Sequence, residues 1–300
     1  MIHIQIPATS ANMGPGFDSI GVALQLYNHI WVEEIAEGVE IEVKREQAIP
    51  VPRNEENLIY QTMKYLYDQK GLKMPGVRII QEDYIPMVRG LGSSAACIVG
   101  GLMAANELAG RPCTREELAQ MAAKLEGHPD NSNPAIFGSM VVGALEENSM
   151  NYVRLPLPED LLFAIMVPDF PVSTEKSRGV LPAEYSRADV VYNVSRAALL
   201  VASVMSGKTE NLAMAMKDKI HQPYRKVLID GMEEIFAQAE QFGAVACYLS
   251  GAGSTLMAMV TKAQAEGFER EMSAYLRTLP HNWELTLLQP DLDGVKIETE

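Results

Sequence analysis

Four segments of this 300-residue chain bring together residue types that can do chemistry. The densest is residues 86–101, PMVRGLGSSAACIVGG, where Gly90 and Gly92 precede Ser93 and Ser94 at the start of a small-residue helix. Glycines let the backbone turn sharply and approach an anion, and a helix start offers unpaired N–H donors with about half a positive charge. The Ser94 hydroxyl is also a hard oxygen donor of the kind that ligates Mg²⁺ beside phosphates. A serine-capped helix packed through Ala95, Ala96, Gly100 and Ala104 is the competing structural reading.

The other three segments are weaker alone. Residues 7–21, PATSANMGPGFDSIG, place Asn12 and Asp18 in a Gly- and Pro-rich loop between strand-like runs, where ligand contacts concentrate. Residues 126–138, EGHPDNSNPAIFG, gather Glu126, His128, Asp130 and Asn131 after a helix. Glu126 could complete a Mg²⁺ site, and His128 and Asn131 could hydrogen-bond a substrate, against the plainer reading of a solvated loop. Residues 249–260, LSGAGSTLMAMV, join two strand-like runs through Gly251 and Gly253 and suffice for a hairpin turn. Two cations sit in polar contexts: Arg178 in a loop with Thr174, and Arg225 at a helix start; Arg suits bidentate carboxylate recognition.

Familiar alternatives fail on spacing. The triplet Gly207, Lys208, Thr209 has Ala202 where a Walker A loop needs its first Gly. Gly90, Gly92 and Ala95 fit G-x-G-x-x-A, but no buried strand precedes them, so a dinucleotide fold is disfavoured. The histidines never fall at H-E-x-x-H spacing.

The elements that must hold these segments alternate irregularly. Strands are expected at residues 3–6, 22–34, 39–44, 77–82, 140–145, 152–155, 162–167, 244–249, 254–260 and 283–288. Helices are expected at 57–69, 93–108, 114–125, 187–205, 210–216, 224–242 and 263–279, the third opening on a Thr114/Glu117 capping box. A polar turn at 146–151 joins two strands as a hairpin. The Pro-rich stretch after residue 155 suggests a boundary between domains 1–155 and 156–300, both α+β.

Composition bounds the partners. With 25 Lys+Arg against 39 Asp+Glu the net charge is −14, which repels nucleic acid and anionic membranes. Three separated cysteines without a C-x-x-C pair read as reduced thiols in a cytoplasmic protein, and no secretory leader or membrane span is expected.

Taken together and in chain order, PATSANMGPGFDSIG, PMVRGLGSSAA and LSGAGS resemble the signature of the GHMP kinases, the N-terminal motif being similar to its homoserine kinase branch. The resemblance spans residues 1 to about 290. It implies an N-terminal domain of the ribosomal-S5 second-domain type, a ferredoxin-like C-terminal domain, a site in the cleft between them, and a homodimer. It also implies transfer of the γ-phosphoryl of ATP to the L-homoserine hydroxyl, with mevalonate or diphosphocytidyl-methylerythritol kinases and a non-catalytic nucleotide-binding homologue as the alternatives. Residue by residue, it puts Pro86, Met87, Val88, Arg89, Gly90, Leu91, Gly92, Ser93, Ser94, Ala95 and Ala96 at ATP, and Ser94 with Glu126 on Mg²⁺. Asn12, Asp18, His128, Asn131, Thr174, Arg178 and Arg225 fall at the amino acid, with Asp18 on its ammonium and His128 and the arginines around its carboxylate. Ser250, Gly251, Ala252, Gly253 and Ser254 would close the site. Several sister kinases carry a catalytic Asp where this chain has Asn131, which is not a general base and so is expected to orient the hydroxyl.

Overall fold

The computed structural model describes residues 1–47, 49–147 and 149–299; Asn148, in the turn expected at 146–151, lies outside the described residues. The long strands β1 (Ile2–Ala11) and β2 (Ile20–Ile35) form an antiparallel pair whose register shifts between Pro7 and Ala8, where proline's missing N–H would break a regular ladder. On one side of β2 lie β4 (Gly76–Glu82) and then β3 (Val39–Val43), parallel to β4 and joined to it through α1 (Leu58–Gln69). The far part of β2 pairs with β5 (Met140–Leu145), which forms the expected hairpin with β6 (Met150–Leu155).

α1 starts at Asn57, whose side chain accepts from the Ile59 N–H, and it buries Ile59, Met63, Leu66 and Tyr67 on one face. Each such buried side chain contributes about 1.5–3 kcal/mol. α2 (Ser93–Leu108) has no polar stripe, because it is enclosed: Ala95 to Asn106 are almost all buried between α1 and the sheet. α3 (Arg115–Glu126) opens on the expected Thr114/Glu117 capping box and closes at Gly127. The segment read as a loop over 126–138 instead contains a short helix, α4 (Ser132–Phe137), which starts immediately after Asn131.

The second sheet has four strands in the order β10-β7-β9-β8: β7 (Leu161–Pro168), β8 (Ala246–Leu249), β9 (Leu256–Thr261) and β10 (Trp283–Leu288). One apolar cluster runs from Ile4, Ile6 and Leu102 to Phe163, Ile165, Tyr248 and Met257, so the two sheets share a core. A second cluster lies between this sheet and the helices α9 (Met232–Gln241) and α10 (Ala265–Leu276). Between β7 and α9 run α5 (Thr174–Gly179), α6 (Arg187–Ser206), α7 (Leu212–Ala215) and α8 (Gln222–Arg225). By length and composition alone α6 could cross a membrane; here it buries Asn193, Leu200, Ser203 and Val204 against the rest of the chain.

Two further sequence expectations are corrected. The polar loop around Thr174 and Arg178 is the helix α5, capped by Ser173. The single helix expected over 224–242 is broken: α8 passes into a short 3₁₀ turn, Ile229 is extended, and Gly231 at φ 76° starts α9. The strands before residue 156 and those after it fall in separate sheets, except β11 (Lys296–Thr299), which returns to pair with β1.

Candidate active site

The glycine-rich loop before α2 is held open by three left-handed residues, Val88 (φ 56°), Gly90 (77°) and Gly92 (71°). No hydrogen bond among the described residues uses the backbone N–H groups of residues 90–95, and the first helical bond of α2 is Ala96 N–H to Gly92 O. No side chain caps this helix. Residues 90–95, whose N–H groups are unpaired at a helix start, line a cavity of about 580 Å³, an arrangement of main chain suited to an anion.

The loop is clamped from both halves of the chain. The Ser250 hydroxyl donates to Gly90 O (2.6 Å), the Thr255 N–H to Arg89 O (3.1 Å) and the Thr9 N–H to Leu91 O (3.2 Å). The Arg89 guanidinium donates to the carbonyls of Pro168 (3.0 Å) and Asp169 (2.9 Å) at the end of β7. Its charge is thus partly committed to bracing the loop. A Cβ on Gly92 would sit 2.0 Å from Thr9 Oγ1, so only glycine admits this approach.

Beyond the cradle lies Glu126, on the last turn of α3. Its Oε2 is enclosed without a hydrogen-bond partner, and burial, reinforced by the Asp130 charge, pushes its pKa up to about 8 against the opposing effect of His128. An orphaned buried carboxylate oxygen sharing a cavity with the exposed Ser94 hydroxyl suits a hard dication that the chain itself does not provide.

The opposite wall is built from paired side chains. Arg178 donates from both terminal nitrogens to Asp18 (3.0 and 2.9 Å). His128 Nδ1 lies 2.6 Å from Asp130 Oδ1. Burial alone would lower the His128 pKa, but the Asp130 hydrogen bond and the charges of Asp130, Glu126 and Asp18 outweigh it and raise it. Arg225 is buried; it donates to Gly251 O (2.9 Å) and Ser177 O (3.3 Å), and burial, with the Arg178 charge, brings its pKa down to about 10. Behind it His221 Nε2 is 2.7 Å from Gly14 O, a pure acceptor, so Nε2 carries the proton. His221 Nδ1 then accepts from Arg225 Nη1 (3.3 Å), and burial keeps the ring neutral by lowering its pKa. The Phe17 ring lies under both Arg178 and Arg225.

The family models "GHMP kinases N terminal domain" and "GHMP kinases C terminal" match residues 57–139 and 200–278. A homoserine kinase of Clostridium beijerinckii is 46% identical over 299 residues, covering 99% of this chain and 98% of that protein. One of Petrotoga mobilis is 45% identical over 99% of this chain and 96% of its own length. The chain belongs to the homoserine kinase family of the GHMP kinases. Its fold agrees with the crystal structure of homoserine kinase from Cytophaga hutchinsonii at a TM-score of 0.88 and 27% identity, covering 99% of this chain and 97% of that one.

In this member of the homoserine kinase family most of the residues singled out from sequence line one cavity: Pro86 to Ala95, Glu126, His128, Asn131, Asp18, Thr174, Arg178, Arg225 and Gly251 to Gly253. Three groups stand differently. Ser250 and Ser254 are buried and turned to carbonyls, Ser254 to Phe170 O at 2.6 Å, so they hold the closing loop instead of lining the site. Ala96 packs in the core behind the loop. Asn12 reaches the cavity wall, but its amide is taken up at both ends, donating to Gly251 O (2.9 Å) and accepting from the Asp18 N–H (3.0 Å).

Sequence reasoning missed the far end of the cavity, where Val51, Pro52, Asn57, Leu58, Gln81, Asp83 and Cys97 meet. Asp83 accepts from Asn28 Nδ2 (2.7 Å) and Gln81 Nε2 (2.6 Å), and its burial outweighs these bonds and pushes its pKa up to about 6. Nothing local marks these residues: a loop, the start of α1 and the end of β4 are brought together by the β3–α1–β4 crossover, and Cys97 joins them from α2.

Proposed function

We propose that this chain transfers the γ-phosphoryl group of ATP to the side-chain hydroxyl of L-homoserine, giving O-phospho-L-homoserine for threonine synthesis. The observation that carries the reading is the two-sided cavity: a main-chain cradle, residues 90–95 with their N–H groups unpaired, lies opposite a wall bearing Asp18, His128, Arg178 and Arg225. The first suits phosphates and the second a zwitterionic amino acid. Glu126 and Ser94 would hold Mg²⁺, which neutralises charge on the phosphates when bound. The mixed polar and apolar pocket around Val51, Leu58 and Asp83 takes the nucleoside end.

For the amino acid to bind, the Asp18–Arg178 pair parts, Asp18 meeting the ammonium and Arg178, with Arg225 and His128, the carboxylate. The hydroxyl oxygen then bonds to Pγ, the bond from Pγ to the bridging oxygen breaks, and ADP leaves with the electron pair. The proton passes to the transferred phosphoryl or to solvent. Asp130 is held by His128, and a loose phosphoryl-transfer transition state depends mainly on position and charge, so no base is assigned. We read the seven-stranded unit as the S5-type domain, with a boundary after Leu155 and β11 returned to it, and the four-stranded unit as ferredoxin-like; a cytoplasmic homodimer is the expected form.

A coupled ADP-release assay over a panel of alcohols tests the function. Homoserine-dependent turnover far above that with mevalonate is expected; no turnover on homoserine would overturn the reading.

A further inference from the structure

Thr9, on β1, is fully buried, yet its hydroxyl meets two elements of the site. It donates to Asn131 Oδ1 at 2.9 Å, and it lies directly beneath Gly92, whose added Cβ would fall 2.0 Å from Thr9 Oγ1 and 3.2 Å from Asn131 Oδ1. A hydroxyl carries a single proton, and here it is given to Asn131. The side-chain amide is planar, so holding Oδ1 on Thr9 turns Nδ2 the other way, towards the cavity that Asn131 lines.

We infer that Thr9 is a positioning residue for phosphoryl transfer: it fixes the Asn131 amide so that only N–H donors face the reacting oxygens. Those donors align the acceptor hydroxyl and meet negative charge on the transferring phosphoryl, a contribution that depends on orientation and not on affinity.

The inference rests on the kinase reading, and a kinetic cycle tests it: steady-state kcat and both KM values for wild type, Thr9→Val, Asn131→Ala and the double variant. Thr9→Val is expected to lower kcat about ten-fold, with the KM for ATP and homoserine within about two-fold. Thr9→Ser should restore kcat, Thr9→Ala supplies a second hydroxyl-free variant, and Thr9→Val should have no further effect on Asn131→Ala. An equal loss in the Asn131→Ala background, an unchanged kcat in both hydroxyl-free variants, or a loss confined to the KM for ATP would each overturn the assignment. A wild type inactive on homoserine overturns the kinase reading and this inference with it; an active wild type with uncoupled Thr9 and Asn131 overturns this one alone.

Discussion

The two ends of the cavity, the one proposed for phosphate and the one proposed for the amino acid, are built to hold charge in an acidic protein by opposite means. At the phosphate end the positive potential comes from backbone N–H groups of residues 90–95 that are already unpaired and already clamped by Thr9, Ser250 and Thr255. At the acceptor end the charges are side chains neutralised by one another, Arg178 on Asp18 and His128 against Asp130. The first should bind with little rearrangement; the second must exchange partners. That difference also explains how a chain of net charge −14 accommodates a polyanionic nucleotide, since backbone dipoles do not enter the count of Lys and Arg.

The largest expected effect breaks the preformed end. Gly92→Ala forces a Cβ into the Thr9 hydroxyl at a left-handed φ, so turnover should fall by more than about 10³-fold and the melting temperature should drop as well. Retained kcat/KM for ATP would show that the cradle is not rigid. Next, Glu126→Gln should reduce turnover by about 10²–10³-fold, and the ligand-free variant should lose less stability than wild type as pH rises from about 4.5 to about 8, because the buried carboxyl holds its proton through that window in the folded protein and an amide does not ionise. Denaturant unfolding and activity measured over a Mg²⁺ titration separate the two effects.

At the acceptor end Arg178→Ala should raise the homoserine KM about ten-fold and leave the KM for ATP unchanged. Its stability should change by less than about 1 kcal/mol, because the Arg178–Asp18 pair is partly exposed and screened. An equal rise in both KM values would mean that the two ends are not independent.

The smallest effect on turnover concerns Asp83, in the wall near the nucleoside end. Its pKa is raised to about 6, so between about pH 4 and 6 the folded protein holds this proton more tightly than the unfolded chain. Stability from this group is present at low pH and lost as pH rises through that window, by about 1–2 kcal/mol. Unfolding of wild type and Asp83→Asn across pH 4–7 checks the sign: wild type should lose stability relative to the variant as pH rises.

Much of the fold is legible in the amino-acid sequence. Asn57, Thr114 and Gly207 mark helix ends by cap chemistry that acts over a few residues, and those helices begin or end where the residue types place them. The alternation in residues 77–82 likewise marks a half-buried strand. The glycine and serine pattern of 86–96 marks a tightly turned loop before a helix because its left-handed turns at Gly90 and Gly92 are set by its own backbone. By contrast, β11 is only four residues long, too short for the alternation of Ile297 and Thr299 with Lys296 and Glu298 to mark a strand alone, and it pairs along the edge that β1 offers. The break at Ile229 lay hidden because the apolar spacing continues through it.

The sequence by itself determined the kit of parts: helices, strands, a loop able to cradle phosphate, and the charged residues that serve an amino acid. Only the tertiary structure decided how they are paired. Arg178 reaches Asp18 across 160 positions, Thr9 orients Asn131 across 122, and Ser250 turns away from the cavity to hold Gly90. Capping and periodicity are encoded by neighbours along the chain, whereas a hydrogen bond between distant side chains depends on where whole sheets and helices pack. No local pattern records that outcome.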